Sequence, residues 1–316
     1  MPAPRALPGF APWQTAASEP LTGDASARKY FRLRTDGQTA ILMDASSVPD
    51  SVAPFVRLAR HLRQLGFSAP EILAQDRASG LLLLEDFGDA PFARLLEEPD
   101  RAEPLLTLAT DVLIALHRLP SAVPAGLRAY HPEKMLEDVE LFAQWRTPHI
   151  SALEREDFRA AWRAVLPAAQ RVPASLLLRD YHVANLMWLP ARAGIRSAGL
   201  LDFQDAYAGP VTYDLVSLLE DARRDVPEAL RIKLVARYLA AFPALDRELF
   251  ETSWAILAAQ RHTRVLGIFE RLARQAGRLE YRRLHSPRVE RLLRAALQHP
   301  LLAGVNDWML RHAITD

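Results

Sequence analysis

Cysteine is absent from the 316 residues, which removes thiol nucleophiles, disulfide frameworks and thiolate metal sites from consideration and fits a cytoplasmic location. No apolar run approaches the roughly 20 residues that span a bilayer, so no membrane is expected. The first residues, MPAPRALPGFAPWQ, hold an arginine and several prolines but no continuous apolar stretch before a small-residue cleavage site. They read as a lead-in segment rather than a secretory signal. A net charge of +1 lacks the basic excess of nucleic-acid binders, and no nucleic acid or obligate protein partner is expected. Lysine is scarce too: Lys29, Lys134 and Lys233 stand among 39 basic residues, so arginine carries nearly all the positive charge. What remains, 50% hydrophobic and 24% charged, is an ordinary globular composition in a chain long enough for two domains.

The N-terminal part reads as strands. RKYFRLR (28–34) and TAILMD (39–44) flank TDGQ, whose Asp-Gly is a strong hairpin signal. Between Pro49 and Gly66 the residues Val52, Phe55, Val56, Leu58, Ala59, Leu62 and Leu65 recur at helical spacing, with Gly66 as the stop. EILAQD and GLLLLEDFGD follow as two more apolar runs, so residues 20–86 read strand, strand, helix, strand, strand. After EDFGDAP the texture changes to long amphipathic helices, among them KMLEDVELFAQW, YDLVSLLEDARR and ELFETSWAILAAQRHTRVLGIFERLARQ. Only residues 175–203 interrupt them with short strands. The domain boundary falls near residues 87–91.

That interruption carries the chemistry. In LLLRDYHVANLMWL an apolar run breaks into a charged cluster, which a buried strand end does not hold without a nearby partner. Asp180 is followed by Asn185 after four residues, and GLLDFQD then delivers Asp202 at a strand end, with Asp205 close behind. Clustered carboxylate and amide oxygens suit Mg²⁺, which takes one or two carboxylates plus waters and substrate phosphates. Phosphoryl transfer needs that arrangement and one further carboxylate to orient an attacking hydroxyl. The spacing matches the protein-kinase pattern H-R-D-x-x-x-x-N followed by D-F-G, here Leu178-Arg179-Asp180 to Asn185 and then Asp202-Phe203-Gln204.

With LRDYHVANLMWL and GLLDFQDAYAGPVTYDLVSLLEDARRD in view, the chain resembles the aminoglycoside-phosphotransferase-like, or kinase-like, superfamily. It is most similar to the bacterial anomeric sugar kinases that phosphorylate N-acetylmuramate and N-acetylglucosamine at carbon 1 during cell-wall recycling. GDASARKYFRL, ILMDA, LLLLEDFGD, ALHRLP and QRHTRVLGIFERLA extend the resemblance over nearly the whole chain. It implies an α+β, bilobal, protein-kinase-like fold: a small antiparallel sheet lobe over residues 1–88 that binds nucleotide, and a helical lobe over 89–316. It implies ATP and Mg²⁺ as cofactors and a small-molecule sugar as partner. Asp180 becomes the catalytic base, Asn185 and Asp202 the Mg²⁺ ligands, and Asp214 a structural brace of the catalytic loop. Gly23, Asp24, Ala25 and Ser26 become the phosphate-covering turn, and the segment from Glu85 to Phe87 the hinge whose backbone meets adenine.

Three departures stand out. Leu178 replaces the usual histidine, so loop rigidity must come from elsewhere. The phosphate turn has a single glycine. The third-strand lysine is missing, Met43 and Asp44 standing there, and the following helix has no glutamate to pair with it. Losing both partners together is coherent, since a lone buried glutamate is uncompensated. Phosphate neutralisation then falls to Arg28 or Lys29. Asp44, His182, Asp205, Gln260 and Arg261 are further substrate-contact candidates. Against these stand a strand-end surface acid for Asp44, a loop hydrogen bond for His182 and a solvated helix face for Gln260 and Arg261. From Glu251 to Asp316 the chain holds 11 Arg against 6 acids, which favours an anionic or neutral acceptor over a polycation. The alternatives are an aminoglycoside or amino-alcohol phosphotransferase and a nucleotide-binding pseudokinase.

Overall fold

The computed structural model describes residue 10, residues 13–21 and residues 27–312. In chain order the first elements are β1 (Ala17–Leu21), β2 (Lys29–Thr35), β3 (Gln38–Asp44), α1 (Val52–Gln64), β4 (Ile72–Asp76) and β5 (Leu81–Glu85). Then come α2 (Phe92–Leu95), α3 (Ala102–His117), α4 (Pro132–Trp145), α5 (Ala152–Val165), β6 (Ala174–Leu177), β7 (Leu186–Trp188), β8 (Ala198–Leu200) and β9 (Tyr207–Pro210). The chain closes with α6 (Thr212–Leu219), α7 (Glu228–Ala241), α8 (Arg247–Gln275), α9 (Ser286–Ala296) and α10 (Ala303–His312).

Two compact units result, residues 1–112 with 183–205, and residues 113–182 with 206–316. In the first, five antiparallel strands run in the order β1-β2-β3-β5-β4. The β2–β3 hairpin turns on Asp36 and Gly37, with φ +45° and +76°, the paired positive values that a two-residue type I′ turn requires. In this sheet the strand missed in the sequence is β1, as β9, beyond residue 203, is in the second unit. Its ASEPL is mostly exposed and contains a proline, tolerable because β1 is an edge. Helix α1 buries Phe55, Leu58, Ala59 and Leu62, Phe55 stacking on Phe203 at 5.2 Å. It ends where Gly66 turns at φ +88°. The β7–β8 hairpin joins this unit through Ser68, which donates to the Arg196 carbonyl and accepts the Leu200 N–H, both at 2.7 Å. The first unit is therefore discontinuous in sequence, a different partition from a linear cut after residue 88.

The second unit is built on aromatic packing around Phe142, Phe158, Trp162, Tyr213 and Trp308. Its 29-residue α8 is not amphipathic at its centre: Gln260, Arg261, His262, Thr263 and Arg264 are all buried. Polar groups in such a place need partners, and His262 finds one in Glu220, Nε2 to Oε2 at 2.8 Å. Gly267 permits the close approach of α4; a Cβ there would lie 2.5 Å from the backbone of Leu141 and Phe142. Helix α6 stops at Leu219, short of the expected Arg224, because Asp221 turns the chain by accepting the Arg223 N–H at 2.8 Å.

Candidate active site

In the second unit, β6 feeds residues 178–182. The Leu178 and Arg179 N–H groups donate to Oδ2 and Oδ1 of Asp214 at 2.6 and 2.9 Å. Asp214 stands in the first turn of α6 and is 1% exposed. Burial pushes its carboxyl up to about 7, against the pull of those two donors. Arg179 holds φ +73°, a left-handed conformation that a non-glycine residue keeps only when its surroundings enforce it. They do so here: its guanidinium reaches Asp138 at 3.0 and 3.2 Å and lies 5.5 Å over the Tyr207 ring. Asp214 and Asp138 thus supply the rigidity that Leu178 cannot.

The braced turn presents Asp180, whose side chain keeps 29% of its exposure and can be reached by a small molecule. Burial raises its carboxyl, but Arg264, His182, Arg179 and Arg261 outweigh that and hold it below the usual carboxylate range. An ionised carboxylate at neutral pH can accept a hydroxyl proton. His182 is buried, and its backbone N–H donates to the Asp180 backbone carbonyl at 3.2 Å. Burial holds its imidazole below the ordinary histidine pKa, with Asp221 pulling the other way. Gln260 is fully buried, and its amide nitrogen is spent on the Tyr130 hydroxyl and the Met135 carbonyl, both at 3.1 Å. The solvated-face alternative fails for it and for Arg261, which is 3% exposed.

In the first unit, Leu201 N–H donates to the Asn185 carbonyl at 3.0 Å. This continues the β7–β8 ladder one step beyond Leu186↔Leu200, so Asn185 and Asp202 stand at the same end of the hairpin. Asp202 has φ +56°, and its Oδ1 accepts from Gln204 Nε2 at 2.7 Å and Arg28 Nη2 at 3.3 Å. One carboxylate and one amide oxygen are hard donors that fit Mg²⁺. Among the described residues no three His, Asp or Glu side chains form a metal cage, so such an ion would draw its other oxygens from water and phosphate. Arg28 is 11% exposed at its side chain, whereas Lys29 is exposed and sits opposite Asp44 in the β2–β3 register. Asp44 is buried rather than a surface acid, and its Oδ1 accepts the Ser46 N–H at 2.9 Å. Asp205 is exposed, 3.5 Å from Gln204 Nε2.

At the end of β5, the Glu85 carboxylate binds Arg192 and, at 3.4 Å, Arg63. Phe87 packs with Met187 and Leu189 and over Gly199, where a Cβ would lie 2.7 Å from its ring. Arg32 clamps this segment to β2 through Asp86 at 2.7 Å and Asp89 at 2.6 Å. Gly23, Asp24, Ala25 and Ser26 lie outside the described residues. Sequence reasoning missed Asp138, Arg264 and the Arg32 clamp. Asp138 did leave a trace: it interrupts the apolar stripe of α4 between Met135 and Phe142.

Residues 18–250 match the phosphotransferase enzyme family. The chain belongs to that family. Relatives within reach of direct sequence comparison share a name: a protein of Caulobacter vibrioides, 35% identical with 93% of this chain and 91% of the relative covered, is named N-acetylmuramate/N-acetylglucosamine kinase. One of Pseudomonas aeruginosa, 33% identical over 91% of this chain and 86% of its own, bears the same name. Among solved structures, a choline/ethanolamine kinase family protein from Mesorhizobium loti superposes with TM-score 0.65 at 18% identity, covering 96% of this chain and 95% of that one. A gentamicin complex of APH(2")-IIa gives 0.60 at 15% identity, covering 93% and 95%. These likenesses establish the protein-kinase-like fold for this phosphotransferase.

Proposed function

We propose that this phosphotransferase moves the γ-phosphoryl group of ATP to the anomeric hydroxyl of N-acetylmuramate or N-acetylglucosamine. What supports the acceptor is the name its relatives share at 33–35% identity over most of both chains. What supports the reaction is the ionised Asp180 on a turn braced by Asp214 and Asp138. Asp180 accepts a hydrogen bond from the sugar hydroxyl, orients its oxygen toward the γ-phosphorus and takes the proton as the new O–P bond forms and the bond to ADP breaks. An anomeric hydroxyl is more acidic than an ordinary alcohol, so a base of depressed pKa is adequate. Asn185 and Asp202 hold Mg²⁺, which when bound neutralises charge on the nucleotide phosphates.

Arg28 takes the place of the absent third-strand lysine. It lies 3.3 Å from Asp202 and exchanges that carboxylate for phosphate oxygens when nucleotide arrives. The backbone of Glu85 to Phe87 receives adenine beside the apolar group of Phe87, Met187 and Leu189. The test is an acceptor panel of both amino sugars, an aminoglycoside, choline and ethanolamine, with ADP release as readout. Turnover confined to the amino sugars supports the proposal; turnover of choline or the aminoglycoside alone, or ATP binding with no turnover, defeats it.

A further inference from the structure

Helix α8 carries two buried arginines three residues apart, Arg261 and Arg264, a spacing that sets side chains on one face. Their partners differ. Arg264 faces carboxylates, with Nε 3.7 Å from Asp138 Oδ2 and Nη1 4.0 Å from Asp180 Oδ1. No carboxylate among the described residues pairs with Arg261, and its Nε and Nη1 are buried without a hydrogen-bond partner. Just past the end of α6, Asp221 is in the complementary state. It is 2% exposed; Oδ1 accepts the Arg223 N–H at 2.8 Å, while Oδ2 is buried and accepts nothing. Both groups act on His182, two residues from Asp180, and Arg261 acts on Asp180 itself.

A guanidinium and a carboxylate oxygen this deeply buried are costly unless a ligand completes them. The open donors of Arg261 match an oxyanion, since guanidinium is the side chain best shaped to grip a carboxylate. The open oxygen of Asp221 matches a hydroxyl. We infer that Arg261 and Asp221 form the acceptor subsite, Arg261 binding the lactyl carboxylate of N-acetylmuramate and Asp221 accepting a hydrogen bond from a sugar ring hydroxyl. This rests on the sugar-kinase proposal and adds the residues that set acceptor choice: N-acetylglucosamine has no carboxylate and leaves Arg261 unmatched. An oxyanion at Arg261 has a second source, the transferred phosphoryl group, and that source serves both sugars equally.

The two sources separate in a comparison of the full-length protein with its Arg261→Met, Arg261→Lys and Asp221→Asn variants. For each, kcat/KM is measured with both sugars, and the Kd of each sugar without nucleotide is measured by NMR titration. In Arg261→Met the kcat/KM ratio of N-acetylmuramate to N-acetylglucosamine falls by about 10- to 100-fold, the worth of a hydrogen bond to a charged group. Arg261→Lys recovers part of it, and Asp221→Asn weakens both sugars together. A ratio that Arg261→Met leaves unchanged, with both sugars falling alike, overturns the assignment and points to the phosphoryl group. If a variant turns over neither sugar, the Kd ratio decides by the same criterion. Wild-type protein that phosphorylates neither sugar defeats the sugar-kinase proposal and this inference with it; wild type active on both, with an unchanged variant ratio, defeats this inference alone.

Discussion

In the proposed reaction Asp180 depends on neighbours that fix its place and its charge: Asp214 braces its turn, and Arg264 leads the groups that keep its carboxyl ionised. Asp180→Asn keeps shape and removes the proton acceptor, so kcat is expected to fall by about 10²- to 10⁴-fold. The thermal midpoint should stay close to that of wild type, and a loss under threefold would contradict the role. Asp214→Ala acts differently, because it strips one buried and one part-buried N–H group of their acceptor. It should cost about 2–4 kcal/mol in urea unfolding as well as activity. Asp180, Asn185 and Asp202 stood out as candidates in the sequence because one short segment and one strand end hold all three at a kinase-like spacing. The Arg32 clamp on Asp86 and Asp89 was not, since its partners lie 54 and 57 residues away and nothing local pairs them. Arg261 was legible as a charge but not as a buried one. A helical period with arginines in it looks solvated until the packing around it is known.

Elements followed the same division between local and distant causes. The β2–β3 hairpin was legible because Asp36-Gly37 encodes its own turn, and α1 because its apolar stripe and Gly66 define both face and end. Strand β1 was not, because ASEPL lacks alternation and becomes a strand only by pairing with β2 along its length. The centre of α8 shows the converse: a strong helix signal that conceals burial on every side. Gly267 is where this matters most. Gly267→Ala gains about 1 kcal/mol of helix propensity but drives a methyl into the α4 backbone, at a cost that overpacking puts at about 1–3 kcal/mol or above. Net destabilisation is expected. Gly304→Ala in α10, where a Cβ meets nothing within 4 Å, is the control and should stabilise by about 0.5–1 kcal/mol. Equal effects at the two sites in urea titrations would contradict the packing account.

For the molecule as a whole, stability and chemistry respond to pH through different groups. His117, on α3, is held neutral: burial lowers its pKa to about 3, and Nδ1 lies 2.7 Å from the Tyr238 hydroxyl. A folded pKa below the unfolded value means stability present above about 6.5 and lost progressively as pH falls toward 3. Between pH 6.5 and 5 the loss should be about 1.6 kcal/mol, and it should be absent from the pH slope of His117→Phe. Asp214, raised to about 7, works oppositely over pH 4 to 7 in both proteins and cancels in the comparison. Among the described residues no helix is long and apolar enough to cross a membrane. The reaction itself is read most directly by phosphorus NMR after incubation with ATP, Mg²⁺ and N-acetylmuramate. A sugar 1-phosphate, its resonance coupled to the anomeric proton, is the predicted product. A phosphate ester at any other hydroxyl, or ATP left unconsumed with both amino sugars, would contradict the account.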